Sequence, residues 1–593
     1  MSGTAPAAVA AQFDVVILGG GSAGCVLASR LSEDPQRRVL LVEAGRDLRA
    51  GAMPSDIASP YPGRAYFNPA NVWPGLSVGM GRAAGNTGGA TVRPYEQARI
   101  LGGGSSINGI GANRGSPHDY DEWVAEGATG WGWTDVLPYF RKLEADLDLG
   151  ADSALHGDSG PLPIQRVPRS VHTPFARRVE AELGREGHAS REDQNGAWED
   201  GIFPITVNLD RAGGRTSTAT VYLNEAVRQR SNLTLWTETQ AERLLFEDQR
   251  VTGAKLRRQE QEITVAAPLV IVSTGALHSP ALLMRSGIGP GRSLAALGIP
   301  IVAARNGVGR NLLEHPSIGV SAFIRADARL PAGDRYHIQS ILRWSSGLEG
   351  TPPGDMHTAV NTRSGWHAVG HRIATLFSWV NKSYSRGEVT LASPDFRTPP
   401  LVDFRMLSDG RDLERLAQAF RLAAGVLRAP SLSDIVLEVF PSTYSARVKA
   451  LLKLSTRNHV LTTLVGPLMD RSAAIRSRVL AMAQDGVAPL ELLCSDDEAL
   501  RTHLRAHVGG VWHPCGTCRL GAEDDPQAVC DPSGRVIGVE GLMVCDASVM
   551  PTIPCANLNV PVIMIAEKTA EIVRAAAKAS PAVAQTTTPR AGA

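Results

Sequence analysis

The chain has 593 residues, with 60 Lys and Arg against 59 Asp and Glu, so its formal net charge is +1. A near-neutral surface offers no global field to draw in DNA, RNA or an anionic partner, and no apolar run approaches the roughly 20 residues of a membrane-spanning helix. Seven cysteines cannot all pair, and six of them lie between Cys494 and Cys555, which argues against a disulfide framework. The stretch Met1 to Gln12 lacks a basic segment followed by an apolar core, so a cytoplasmic protein is the expectation. Glycine is in surplus: 60 residues, about a tenth of the chain against a usual ~7%.

Taken in chain order, Phe13 to Leu18 is a β-branched apolar run suited to a buried parallel strand. Gly19-x-Gly21-x-x-Gly24 follows at once, a helix is predicted over 22–33, and Arg38 to Glu43 reads as a second buried strand. Residues 46–98 are rich in Gly and Pro and end in a second glycine cluster at 102–104. An amphipathic helix is predicted near 174–186. Segments 233–236, 243–246, 251–256 and 262–265 read as meander strands, 268–273 as a buried strand, and a helix follows from Ser279. Region 443–485 holds basic helical stretches, a strand is predicted at 541–545 and a helix at about 561–577. The last residues, 581–593, read as a disordered tail.

The glycine motif lies between a strand and a helix, and the acid Glu43 ends the next strand, nineteen residues after Gly24. One glycine serves the tight turn, one lets backbone approach a pyrophosphate, and one allows close helix–strand packing, while the helix N-terminus supplies partial positive charge. Glu43 would accept the ribose hydroxyls. This predicts NAD or FAD over NADP, and the motif alone does not separate the first two.

Further blocks separate them. Arg99 to Asn108 with Arg114 and Asp119 to Trp123, Gly275 to Pro280 through Gly289, Val308 to Pro316, and Asp546 to Pro551 together resemble the glucose-methanol-choline (GMC) family of FAD-dependent oxidoreductases, almost end to end. Within that family the chain resembles most the bacterial branch that oxidises hydroxymethylfurfural, and the aryl-alcohol oxidases, through Leu155 to Pro161, Trp379 to Lys382 and Gly509 to His513. It departs from the furfural branch at Gly109, where that branch is bulkier, at Phe377, where it is smaller, and in a longer segment at 440–490.

The resemblance implies an α/β fold: a Rossmann-like FAD-binding domain from 1–150, 230–320 and 521–580, and a discontinuous α+β substrate domain from 151–229 and 321–520. It implies oxidation of a primary aromatic or furanic alcohol to the aldehyde, a further oxidation to the acid if the hydrate binds, and reduction of O2 to hydrogen peroxide. The alternatives are an alcohol or choline dehydrogenase that uses a quinone or another acceptor, and a hydroxynitrile lyase of the same family. By motif His513 is the base and Asn557 its partner, with Asn559 a rival two residues along. An imidazole suits proton uptake near neutral pH, and the Asn amide can donate to a substrate oxygen.

The cofactor is expected against Gly19, Gly21, Ser22, Ala23 and Gly24, against Glu43 and Ala44, and against Gly102, Ser106, Asn108, Gly109, Ile110 and Gly111. Ala241, Asp546 and Ala547 complete that set. Ile107 stands where some members attach the flavin to a histidine, so dissociable FAD is expected. Phe377, Trp379 and Trp512, with Trp366 as a further candidate, suit the pocket for a planar alcohol. His278, His315 and His507 read as structural, His118 as near the first signature, and no metal site is expected. Cys515 and Cys518 read as packing near the flavin, with a disulfide as the alternative. The basic residues of 443–485 read as a solvated helix face, with a seat on anionic lipid as the alternative.

Overall fold

The computed structural model describes residues 9–81, 91–150, 153–331, 333–443, 445–484 and 486–579, so the expected tail at 581–593 lies outside the described residues. The apolar runs that read as buried strands form one five-stranded parallel sheet. Its order is Leu233–Trp236, Val39–Val42, Val15–Leu18, Leu269–Val272 and Leu542–Val544. Every residue of Val15–Leu18 and Val39–Val42 is buried, as a strand covered on both faces requires. Helices Ser22–Leu31 and Asn559–Ala579 pack against one another beside it. Chain segments more than 500 residues apart therefore meet at the strand–helix turn.

One strand differs from its expected place. Leu233–Trp236 is not part of the meander but the edge of the parallel sheet, paired with Val39–Val42. The meander consists of Thr239–Glu247, Arg250–Arg258 and Gln261–Ala266, and Val9–Gln12 joins it in parallel. Glu238, with φ of 51°, marks the turn between the two sheets.

A six-stranded sheet of antiparallel pairs carries the wall opposite the glycine motif. Its order is Val436–Pro441, Ser317–Ile324, Ile373–Val380, Met356–Asn361, Ile338–Trp344 and Gly201–Pro204. The expected boundary at 320 falls inside Ser317–Ile324. A smaller sheet pairs Ser77–Gly81 in parallel with Leu401–Met406, tying an early segment to a late one. The 443–485 region folds as three helices, Ala446–Leu452, Thr456–Arg471 and Ala473–Gln484.

Candidate active site and cofactor cavity

A cavity of 990 Å³ runs from the glycine motif to the six-stranded sheet. At its first end Gly19 has φ of 105°, and a Cβ on Gly24 would stand 1.9 Å from the Gly19 carbonyl oxygen, so neither position tolerates a side chain. A Cβ on Gly103 would meet the Gly21 backbone at 2.7 Å, which seats the second glycine cluster directly on the first. Helix Ser22–Leu31 starts at Gly21 with no side-chain cap, so its N-terminal N–H groups lie free at the cavity wall. Glu43 also lines the cavity; its carboxylate accepts from Gly20 N at 2.9 Å and Gly45 N at 2.7 Å, and burial raises its pKa.

Two buried polar atoms on this wall, Asn559 Nδ2 and His278 Nε2, have no hydrogen-bond partner in the protein. A glycine cradle, an uncapped helix end, an acid on the neighbouring strand and orphaned polar groups together fit a dinucleotide. Of the residues expected at the cofactor, Gly19, Gly21, Ser22, Ala23, Glu43 and Ala44 line the cavity, as do Asn108, Gly109, Gly111, Ala241, Asp546 and Ala547.

Gly24, Gly102, Ser106 and Ile110 stand behind the wall. Gly24 packs helix on strand, and Ser106 Oγ donates to Leu101 O at 2.7 Å, the space a Cβ on Gly102 would fill. Ile110 is turned away by a φ of 64° into a cluster with Trp379. Sequence reading missed Trp73, which packs on His278 with ring centroids 4.5 Å apart; Gly275, from the second family block, lines the cavity and its N–H donates to Asp546 at 2.8 Å. His278, expected to be structural, is thus a cavity residue, and His507 also lines the cavity. Ile107 lines it with a side chain that has no nucleophile. His118 is exposed and away from it.

At the other end the chemistry concentrates on His513. His315 Nε2 lies 3.2 Å from the Pro554 carbonyl, which can only accept, so the His315 proton sits on Nε2 and its Nδ1 is a lone pair. His513 Nδ1 lies 2.9 Å from that lone pair and must donate to it. The His513 lone pair is therefore on Nε2, which faces Asn557 Nδ2 at 3.2 Å. Sequence alone fixes neither tautomer; the chain of three contacts does. Asn559, the rival to Asn557, is elsewhere: its Oδ1 accepts from Ser22 Oγ at 3.0 Å.

Glu314 holds the backbone around His513. Its carboxylate accepts from His513 N at 2.8 and 3.0 Å, Val511 N at 3.3 Å, His315 N at 2.8 Å and Tyr95 OH at 2.6 Å. The turn it clamps puts Trp512 at φ of 61°, an unfavourable region for a bulky residue that Glu314 overdetermines. Burial pushes Glu314 up to about 7 and His513 down to about 3, and burial with the neighbouring His513 holds His315 well below the usual imidazole range. His513 is thus neutral at any ordinary pH.

Asn557 is held as firmly. Its N–H donates to Asn113 Oδ1 at 2.8 Å, Cys555 N donates to Asp119 at 2.9 Å, and Trp123 Nε1 donates to Thr552 O at 3.0 Å. The buried Lys382 ammonium binds Asp119 and Ile553 O, each at 3.0 Å, and also Glu122. Phe377, Trp379 and Trp512 line the cavity as expected, whereas Trp366 does not. Its Nε1 donates to Leu452 O at 2.8 Å, so it fastens the 443–485 helices to the sheet.

Among the described residues two clusters offer metal-like donors, Glu314 with His315 and His513, and Glu144 with Asp146 and His156. The first is consumed by the N–H and O–H donors above. The second already holds Arg114 and Arg166, whose charges occupy the place of a cation. Cys515 and Cys518 are free and fully buried, with no disulfide.

Comparison with known proteins bears on this architecture. GMC oxidoreductase family models match residues 13–317 and 383–566. The chain is 42% identical over 577 residues to the 5-(hydroxymethyl)furfural oxidase of Methylovorus sp. (strain MP688), covering 95% of this chain and 98% of that protein. It is 32% identical over 590 residues to an oxygen-dependent choline dehydrogenase of Rhizobium etli (strain CIAT 652), covering 94% and 95%. The crystal structure of pyridoxine 4-oxidase from Mesorbium loti superposes with a TM-score of 0.78 at 28% identity, over 95% of this chain and 99% of that one. A fungal aryl-alcohol oxidase shares the fold alone, with a TM-score of 0.70 at 21% identity, over 95% and 99%.

Proposed function

Because the chain belongs to the GMC oxidoreductase family and is an FAD-dependent alcohol oxidoreductase, we propose that it oxidises primary aromatic or furanic alcohols to aldehydes, with O2 as the final acceptor and hydrogen peroxide as the second product. The observation that carries this reading is the His513–Asn557 pair set against an aromatic wall. His513 Nε2 presents a lone pair to the cavity, and Asn557 Nδ2 lies 3.2 Å from it. A substrate hydroxyl placed between them donates its proton to Nε2 and accepts from the Asn557 amide. Bound FAD supplies the acceptor for the hydride that leaves the alcohol carbon. The Asn557 amide lowers the cost of charge on the oxygen as the proton departs. His315 keeps the opposite edge of the imidazole engaged, so the accepting nitrogen cannot exchange places with the donating one. Phe377, Trp379 and Trp512 exclude water and favour a flat ring. An aldehyde hydrate presents the same hydroxyl geometry, so oxidation to the acid follows from the same residues.

The cavity also favours an aromatic alcohol over choline. Arg363, Arg447, Lys449 and Arg457 line it, with Glu96 the acid on that side, and a quaternary ammonium would meet net positive charge. The binding of FAD is assigned as non-covalent, on the strength of Ile107 at the wall. We assign 1–150, 230–320 and 521–580 to a flavin domain and 151–229 and 321–520 to a substrate domain, with the strand Ser317–Ile324 shared. A cytoplasmic setting agrees with seven free cysteines, six of them buried.

A panel of furfuryl, benzylic and aliphatic alcohols and choline tests this reading, with flavin bleaching followed without air and peroxide measured in air. Bleaching by furfuryl and benzyl alcohol with one peroxide per aldehyde is expected. A flavin that none of them bleaches would overturn it, and bleaching without peroxide would move the assignment to a dehydrogenase. Acid precipitation should release the flavin into the supernatant.

A further inference from the structure

The helices Thr456–Arg471 and Ala473–Gln484 carry side chains that folding leaves uncovered. Leu464 is 66% exposed, Met482 57%, Val460 50%, Leu468 47%, Leu461 44% and Ile475 38%. Their spacing is ordered. On the first helix Arg457, Leu461, Leu464, Leu468 and Arg471 recur at intervals of four, three, four and three, which places all five on one stripe. An exposed arginine stands at each end of that stripe. On the second helix Ile475, Arg478 and Met482 repeat the pattern at three and four. Lys453, Arg457, Arg471 and Arg478 are exposed, as a solvated basic face requires, but the apolar side chains between them are exposed as well.

The charge around the stripe has one sign. Lys453, Arg457, Arg471 and Arg478 are exposed with no acidic partner among the described residues, and Asp470, the acid on the first helix, is bound by Arg329 and Arg372. The stripe also adjoins the cavity: Leu461 and Met482 line it and are about half exposed, so they border its mouth. Apolar side chains flanked by arginines that can reach sideways are the pattern of a helix lying in a lipid headgroup layer. A second copy of the chain fits less well, because a symmetric pairing would set these arginines against themselves and cover the mouth.

We infer that this helical pair is a docking surface for an anionic lipid bilayer, seated so that the cavity mouth opens toward the membrane. Leu464, Leu468 and Met482 enter the interface while Arg471 and Arg478 meet anionic headgroups. An apolar alcohol dissolved in the membrane then reaches the cavity without crossing water. Delivery of an alcohol rests on the proposed function, whereas the docking does not, so the test reads binding rather than turnover.

The holoenzyme is floated with phosphatidylcholine vesicles, with and without about a third phosphatidylglycerol. Binding to the anionic vesicles that weakens with salt is expected. Replacing both Arg471→Gln and Arg478→Gln should lower the partition coefficient about 30-fold, and Leu464→Ser with Leu468→Ser should lower it at least about 10-fold. The flavin spectrum and thermal midpoint of these variants report that they fold. Failure to float, or equal partition onto neutral and anionic vesicles, would overturn the inference. A dimer in light scattering that Leu464→Ser and Leu468→Ser dissolve, without vesicle binding, would assign the face to a second copy instead.

Discussion

Replacing His315 by Phe removes the acceptor that fixes the tautomer of His513, the proposed base, while keeping a ring of similar size in a fully buried site. His513 Nδ1 donates to His315 Nδ1 at 2.9 Å, and losing that acceptor leaves a buried N–H unsatisfied at a cost of about 1–3 kcal/mol. A central value of about 2 kcal/mol is a factor of about 30 in the tautomer ratio, against the form with its lone pair on Nε2. That form alone can take the substrate proton, so kcat/KM for benzyl alcohol should fall by up to about 30-fold, the ceiling set by that ratio. The rate of flavin bleaching without air measures it directly. His315→Asn restores an acceptor oxygen near the place of Nδ1 and should recover most of the rate. If His315→Phe bleaches within about three-fold of the parent, the hydrogen bond does not set the base. If His315→Phe and His315→Asn lose equally, the histidine acts by packing alone.

The remaining expectations concern groups around the same site. His513→Ala should slow flavin reduction about 10²–10⁴-fold with the flavin still bound, as loss of a general base does. Burial holds His513 near 3, so no inflection near 6.5 should belong to it in the pH profile of kcat/KM; one that persisted in Glu314→Gln would refute that. Glu314, raised by burial from 4.5 to about 7, keeps its proton in the folded chain across that window while the unfolded chain loses it. Its contribution to stability therefore falls as pH rises from about 4.5 to 7, and Glu314→Gln should flatten that slope in thermal melts. Lys382→Met strands the buried Asp119 carboxylate and should cost about 3–5 kcal/mol, read as a lower midpoint in chemical denaturation, because removing one partner leaves an uncompensated charge.

What the sequence made legible was local. The strand–glycine–helix unit from Val15 to Val42 occupies under thirty residues, each of its requirements is met by neighbours in the chain, and the structure reproduces it within a residue or two. His513 and Asn557 were legible through motif spacing. Glu314 and His315 were not, because their work is defined by partners almost 200 residues away. The adjacent Glu-His pair before Pro316 was the available signal: an acid and an imidazole in an apolar context must find donors and acceptors somewhere. Leu233–Trp236 looked like a meander strand for a related reason. Its composition suits either sheet, and only pairing with Val39–Val42 decides. Trp366 illustrates the limit for aromatics, since a ring that lines a cavity and one that pins a helix have the same sequence signature.

The depressed pKa of His513 constrains the order of events. A base whose conjugate acid titrates near 3 is weak, and an alcohol is a far weaker acid than imidazolium, so full proton transfer ahead of the redox step would be steeply uphill. Proton transfer becomes favourable as the carbon begins to lose its hydride, because the forming carbonyl oxygen sheds its need for the proton. The proton must then move within the step that breaks the C–H bond, with Asn557 already donating to the oxygen. That arrangement predicts a substrate isotope effect on flavin bleaching from α-deuterated benzyl alcohol that is undiminished in D2O. A solvent effect would multiply it. If the substrate effect shrank in D2O, proton removal would be a separate, partly limiting step. The neutral His513–His315 pair would then have to stabilise an imidazolium beside a Glu314 carboxyl that is already engaged by the backbone N–H groups of Val511, His513 and His315 and by the Tyr95 hydroxyl.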